Sequence, residues 1–232
     1  MLVIALLVVV LGLPWWGNTV LNIFFIRSFS WFVCKVVGID LQIIDLQKIH
    51  HLSPAVFVGN HQSALDLALI GKISPKNVVI VAKKEIVYLP IIGWYFKVAG
   101  NLFINRSDKI NSHQRMMEMG EELVKRNLVT AIFPEGTRNK NSNEVLLPFK
   151  KGAFHIAFAQ GLPIVPIICS SLKGIAVWER FELNGGKVII KVLDPIETKN
   201  VPKNEINAFI ENVKNLMQLE MNKLNAQVKN NA

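Results

Sequence analysis

The sequence predicts an α/β fold: a mixed central sheet covered by helices, with an N-terminal apolar membrane-associated helical segment. Three observations carry this. Short runs rich in Val, Ile and Phe alternate with helix-like segments along most of the 232 residues. No charged side chain occurs before Arg27, so all 26 Lys and Arg and all 17 Asp and Glu lie at or after it. The long C-terminal segment repeats its apolar residues at helical spacing. These divide the chain into a membrane-anchoring helical segment, residues 1–40, and an α/β domain, residues 41–232.

The head, "MLVIALLVVVLGLPWWGNTVLNIFF", lacks the basic start and small-residue cleavage site of a signal peptide. Residues 1–26 are long enough to span a bilayer. Pro14 disfavours helix at Leu13, however, and Trp15-Trp16-Gly17-Asn18 has interfacial character. Two arrangements stay open: one transmembrane helix, or two short helices dipping into one leaflet, the second over about 18–37. Arg27, Lys35 and the basic body predict the cytoplasmic face (the inner membrane in a bacterium).

In the body, "AVFVG" (55–59) reads as a strand and 63–71 as a helix. "NVVIVAK" (77–83) is a strand, 91–98 a helix and "NLFI" (101–104) a short strand. Residues 109–127 form an amphipathic helix, followed by the strand "LVTAIF" (128–133). "RNKNSNE" (138–144) reads as a mobile surface loop. Residues 151–160 are helical. "PIVPII" (163–168) is a strand whose Pro166 predicts an edge or irregular position. "KVIIKVL" (187–193) is a further strand. The last helix, 202–227, places Ile206, Phe209, Ile210, Val213, Leu216, Met217, Met221 and Leu224 on one side.

The formal net charge of +9 fits several partners. The basic residues are scattered, and most aromatics sit in the head or in apolar runs, so no nucleic acid is expected as a partner. Membrane lipid is the expected surface. Cys34 and Cys169 lie in apolar stretches without metal-ligand spacing and read as buried thiols in a reducing compartment.

Three stretches carry chemistry. In "GNHQSALD", His61 and Asp66 would stand about 140° apart on a single helix. A working pair therefore needs His61 in the turn before the helix and Asp66 in its first or second turn. Asp66 then fixes the imidazole tautomer, and the other ring nitrogen can take a proton from a hydroxyl. Against this, "SALD" matches a capping box, in which Asp66 bonds only the backbone of Ser63. A metal pair lacks a third ligand nearby. The second stretch is "FPEGTRN", where a strand end is followed by a turn presenting Glu135, Gly136, Thr137 and Arg138. The third runs from Lys83 to Arg106. His61, Lys83, Arg106 and Glu135 all follow predicted strands, and ligand-binding groups gather beyond strand ends in α/β sheets. If those ends share one edge, they make one cationic pocket beside one His–Asp pair. No G-x-S-x-G is present, which excludes the usual serine hydrolase.

These blocks resemble the bacterial 1-acyl-sn-glycerol-3-phosphate acyltransferases, within the wider glycerolipid acyltransferase family. The N-H-x-x-x-x-D block corresponds to Asn60, His61 and Asp66. The K-x-E-[LI]…P-x-x-G…G…I-x-R block corresponds to Lys83, Glu85, Ile86, Pro90, Gly93, Gly100, Ile104 and Arg106. F-P-E-G-T-R is Phe133 to Arg138, and the V-P-[IV] strand is Val165 to Ile167. "LPFKKGAFHIA" (147–157) also looks like the family. The blocks cover residues 60–168 in family order. The resemblance implies acyl transfer from acyl-CoA or acyl carrier protein to the sn-2 hydroxyl of lysophosphatidic acid, giving phosphatidic acid. It implies His61 as general base and Asp66 as its orienting group. Arg106, Glu135, Gly136, Thr137 and Arg138 match glycerol-phosphate-binding positions, with Lys83 a further candidate. No metal or redox cofactor is called for. The alternatives are another acceptor, such as glycerol 3-phosphate or another lysophospholipid, and a non-catalytic peripheral lipid-binding protein.

Overall fold

The computed structural model describes residues 19–89, 92–104, 112–139, 145–177, 180 and 182–230. The head from 1 to 18, Arg106 and residues 140–144 of the expected surface loop lie outside the described residues. The strands are β1 (Ile39–Ile44), β2 (Ala55–Gly59), β3 (Val78–Lys83), β4 (Leu102–Ile104), β5 (Val129–Ile132), β6 (Ile164–Cys169), β7 (Ala176–Val177), β8 (Glu182–Leu183) and β9 (Gly186–Val192). The helices are α1 (Thr19–Val37), α2 (Leu65–Ile73), α3 (Ile92–Val98), α4 (Ser112–Lys125), α5 (Gly152–Gln160) and α6 (Ile206–Asn230).

Seven strands form one sheet in the order β1-β9-β6-β2-β5-β3-β4, and β7 pairs with β8 apart from it. From β6 to β4 every pairing is parallel. β9 runs antiparallel to β6, and β1 runs parallel to β9. The sheet is mixed, as expected, and the C-terminal ends of β2, β3, β4, β5 and β6 share one edge.

β2 shows why these residues form a central strand. Successive side chains point to opposite faces. Val56 and Val58 pack with Met119 and Leu123 of α4, Phe154 of α5 and Met217 and Met221 of α6. Ala55 and Phe57 pack with Leu65 and Leu69 of α2 and with Val165 and Ile167. Both faces are covered, so the strand is apolar throughout and buried at all five positions.

Pro166 was expected at an edge or irregular position, and the sheet order corrects the edge alternative. β6 lies inside the sheet, between β2 and β9, with Pro166 opposite Val58. The Pro166 carbonyl accepts the Leu193 N–H at 2.9 Å. A residue's N and C=O point the same way along a strand, so the ring nitrogen faces the β9 side. There β9 has just ended at Val192, and the antiparallel ladder begins only at Ile167. Pro166 and Leu193 thus meet at the end of the β6–β9 ladder with one bond where a pair would make two, so the missing N–H costs the sheet a single terminal bond.

The head reading predicts the second helix closely, since α1 covers 19–37. β1 was not expected: it starts at Ile39, next to the boundary drawn at residue 40, and pairs with β9. α1 docks on the body. At Gly71 of α2, a Cβ would come within 2.7 Å of Ile26 Cγ2 and 3.1 Å of the Ile26 carbonyl, so only glycine permits this approach. Buried Asn22 donates to the Val78 carbonyl (2.9 Å) and to Asn101 Oδ1 (3.2 Å), and Arg27 donates to the Ser74 carbonyl (3.0 Å). Among the described residues, no helix is long and apolar enough to cross a membrane.

Candidate active site

The chain leaves β2 at Gly59 and turns before α2, which places His61 in the turn and Asp66 in the first turn of the helix. His61 Nδ1 and Asp66 Oδ2 are 2.8 Å apart. The same Oδ2 accepts the N–H groups of Gln62 (2.6 Å) and Ser63 (2.8 Å), while Ser63 Oγ accepts from the Leu65 N–H (3.3 Å). The capping box and the imidazole contact therefore coexist on one carboxylate. Asp66 is 2 % exposed, and its Oδ1 has no hydrogen-bond partner among the described residues. The His61 side chain keeps 16 % exposure, and Nε2 makes no hydrogen bond among the described residues.

The "FPEGTRN" turn follows β5, the neighbour of β2, and grips the main chain of His61. The His61 N–H donates to Glu135 Oε1 (2.7 Å), and the His61 carbonyl accepts the Asn139 N–H (2.8 Å). Glu135 Oε2 accepts the Leu147 N–H (3.0 Å). The imidazole lies against Phe133, with ring centroids 4.2 Å apart and planes within 12°. Glu135 is itself buried. Burial pushes its carboxyl above the ordinary glutamate range, and the N–H groups of His61 and Leu147 oppose that shift.

Two further side chains, not singled out by their types, fix this loop from the other side. Asn60 donates to the Cys169 carbonyl (2.9 Å) and accepts the Cys169 N–H (2.8 Å), so its amide acts like one more strand residue beside β6. Gln62 donates to the carbonyls of Cys169 and Ser170 (3.1 and 3.0 Å) and accepts the Leu172 N–H (3.1 Å). The partners lie more than 100 residues away in sequence. Asn60 was marked by its place in the N-H-x-x-x-x-D block, while the only signal for Gln62 was an amide beside a histidine.

Lys83 ends β3 on the same edge, and its neighbour strand β4 ends at Ile104, two residues before Arg106. The shared-edge condition is thus met for the strands preceding His61, Lys83, Arg106 and Glu135. Gly136 has φ +69, in the left-handed region that favours glycine. Gly136, Thr137 and Arg138 are exposed. Lys150 bonds the Pro134 carbonyl through its main-chain N–H (2.8 Å) and lays its side chain over Gly136.

Cys169 is buried and its thiol is pushed well up, first by burial and then by the nearby Asp66; Cys34 is half-buried. Among the described residues, no three His, Cys, Asp or Glu side chains stand together as metal ligands. The arrangement offers one oriented imidazole with an open nitrogen, beside an exposed turn carrying cations.

A family model described as Acyltransferase matches residues 40–170. Human 1-acyl-sn-glycerol-3-phosphate acyltransferase beta is 35 % identical over 199 residues, 84 % of this chain and 69 % of that protein. The 1-acyl-sn-glycerol-3-phosphate acyltransferase of Haemophilus influenzae is 33 % identical over 182 residues, 78 % of this chain and 74 % of that protein. The Saccharomyces cerevisiae protein of the same name is 33 % identical over 191 residues, and the chain spans 63 % of its length. The crystal structure of the 1-acyl-sn-glycerophosphate acyltransferase of Thermotoga maritima superposes with a TM-score of 0.69 and 24 % identity, covering 87 % of this chain and 80 % of that one. That likeness shows the fold, a mostly parallel sheet flanked by helices. From the family match over residues 40–170 and the human relative, the chain belongs to the acyltransferase family.

Proposed function

We propose that the protein transfers a fatty acyl group from a thioester to the sn-2 hydroxyl of lysophosphatidic acid, giving phosphatidic acid. The relatives' names point to this acceptor. The observation that carries the chemistry is the 2.8 Å contact from His61 Nδ1 to buried Asp66 Oδ2, which leaves Nε2 open.

In this reading Nε2 takes the proton of the acceptor hydroxyl as its oxygen attacks the thioester carbonyl carbon. Asp66 holds the ring and stabilises the imidazolium, a role its three donors on Oδ2 keep in place. The C–S bond of the tetrahedral intermediate then breaks, and the imidazolium returns its proton to the leaving thiolate. The products are an ester and a free thiol. The donor is acyl-CoA or acyl carrier protein, and the scheme needs no metal or redox cofactor. Lys83, Arg106, Gly136, Thr137 and Arg138 serve the acceptor phosphate. Glu135 belongs with them in sequence, but with both oxygens on main-chain N–H groups it serves by placing His61.

The same reading places the protein on a membrane, at the cytoplasmic face, with residues 1–40 as the anchor. Phe24, Trp31, Phe32 and Val36 of α1 are exposed, which suits contact with lipid. Moving a 16-carbon chain into water costs on the order of 10 kcal/mol, at about 0.8 per CH₂. An enzyme that takes its acceptor at the bilayer avoids most of that cost. Basic residues add about 1 kcal/mol each near anionic headgroups.

The test is an acyl-transfer assay on detergent-solubilised protein, with oleoyl-CoA or acylated carrier protein and lysophosphatidic acid. Phosphatidic acid forming in step with free thiol is the expected result. Transfer to glycerol 3-phosphate alone would reassign the acceptor, and no transfer from either donor would refute the reading.

A further inference from the structure

We propose that Lys150 is a binding residue for the acceptor's phosphate monoester, completing a cationic rim with Arg138 across the Gly136 turn. This rests on the acceptor reading above and adds a residue to it.

The observation is the course of the Lys150 side chain. An ideal Cβ on Gly136 would lie 2.7 Å from Lys150 Cδ, 2.8 Å from Cε and 2.7 Å from Nζ. The last three atoms of the lysine therefore lie across the space that a side chain at 136 would fill. The main-chain bond from Lys150 to Pro134 anchors the other end of the residue to the same turn. The ammonium thus sits against the turn that holds His61.

Among the described residues, nothing nearby neutralises it. Glu135, one residue from Gly136, gives both oxygens to main-chain N–H groups. Lys150 and Lys151 precede α5, whose first turn holds no acidic residue. The positive end of that helix repels both cations rather than balancing them. Lys150 has no acidic partner among the described residues, and Arg138 is exposed on the same turn. A phosphate monoester carries about −1.5 to −2 charges near neutral pH, which suits two cations and an exposed turn. Gly136 then has two reasons to be glycine: its left-handed φ and the lysine lying over it.

The ligand chemistry is a phosphate, and the donor's phosphates are a second source of it. Binding to the full chain in neutral detergent micelles separates the two without requiring turnover. The probes are 1-oleoyl lysophosphatidic acid, 1-oleoylglycerol (the same chain without phosphate) and oleoyl-CoA. Lys150→Gln is expected to weaken lysophosphatidic acid about tenfold, the loss of one charge-assisted contact. It should leave oleoylglycerol and oleoyl-CoA within about twofold. Lys150→Arg should restore most of the affinity, and Lys151→Gln, one residue on and also exposed, should change none of the three. Equal weakening by the Lys150→Gln and Lys151→Gln variants overturns the proposal. So does equal weakening for both acceptor lipids, or a loss confined to oleoyl-CoA. Wild type that binds lysophosphatidic acid through Lys150 yet never acylates it would refute the proposed function while sustaining this one. Wild type that does not bind that lipid refutes both.

Discussion

Glu135→Gln separates placement from substrate contact. In the wild type, one carboxylate oxygen accepts the His61 N–H and the other accepts the Leu147 N–H, with the residue 2 % exposed. Glutamine has almost the same shape, but one of its two end groups is an NH₂ and cannot accept. One of the two buried main-chain donors must then face a donor. An unsatisfied buried donor costs about 1–3 kcal/mol. Expressed wholly as displacement of His61, that is a fall in kcat of roughly 5- to 160-fold. Expressed globally, it lowers Tm by about 2–4 °C per kcal/mol for a chain of this size. The assay is initial-rate thiol release with lysophosphatidic acid and oleoyl-CoA varied in turn, beside a thermal melt. A lower kcat with the acceptor KM unchanged is expected. A tenfold rise in acceptor KM at unchanged kcat would refute the reasoning and return Glu135 to the substrate.

Two other perturbations follow from the same structure. Glu220, which contacts Lys191 Nζ at 2.7 Å and Lys223 Nζ at 2.6 Å, has its carboxyl held below the ordinary glutamate value by these partners. A lowered folded value stabilises above the unfolded one, so the contribution is complete at neutral pH and disappears as pH falls through the folded value. Glu220→Gln should be about 1 kcal/mol less stable at pH 7, with Lys223 largely exposed and so discounted, and the gap should close in acid. Denaturant titration against pH reads it, and a gap constant with pH contradicts it. Gly136→Ala should cost about 1–2 kcal/mol from the left-handed φ of +69. Its methyl would also push the Lys150 side chain aside, so melting should fall and the acceptor KM should rise together. A variant with wild-type melting and KM would show that the turn tolerates a side chain.

The legible parts of this molecule were those whose signal is local. "AVFVG", "NVVIVAK" and "LVTAIF" became β2, β3 and β5 within a residue or two, because a strand covered on both faces must be apolar throughout. The His61–Asp66 pair was legible because its spacing admits one geometry, a turn residue facing a first-turn carboxylate. Pro166 misled because the rule that bars proline from interior strands concerns the lost donor, and at this position the loss is one bond at the end of the β6–β9 ladder. Residues 39–44 were hidden by their place after an apolar head, and only the pairing with β9 reveals them as a strand. The clamps by Asn60, Gln62 and Glu135 join segments up to 110 residues apart, and local pattern does not encode that distance. Lys150 was one lysine of two in a basic stretch, and only its course over Gly136 distinguishes it from Lys151.

The most direct test of the central claim, that His61 is the base held by Asp66, is the rate of thiol release by wild type, His61→Ala and Ser63→Ala on one acceptor and donor pair. His61→Ala should lose about 10²- to 10⁴-fold in kcat. Ser63→Ala should stay within a few-fold of wild type, because its hydroxyl bonds only the Leu65 N–H among the described residues. A His61→Ala protein that turns over at the wild-type rate would contradict the account.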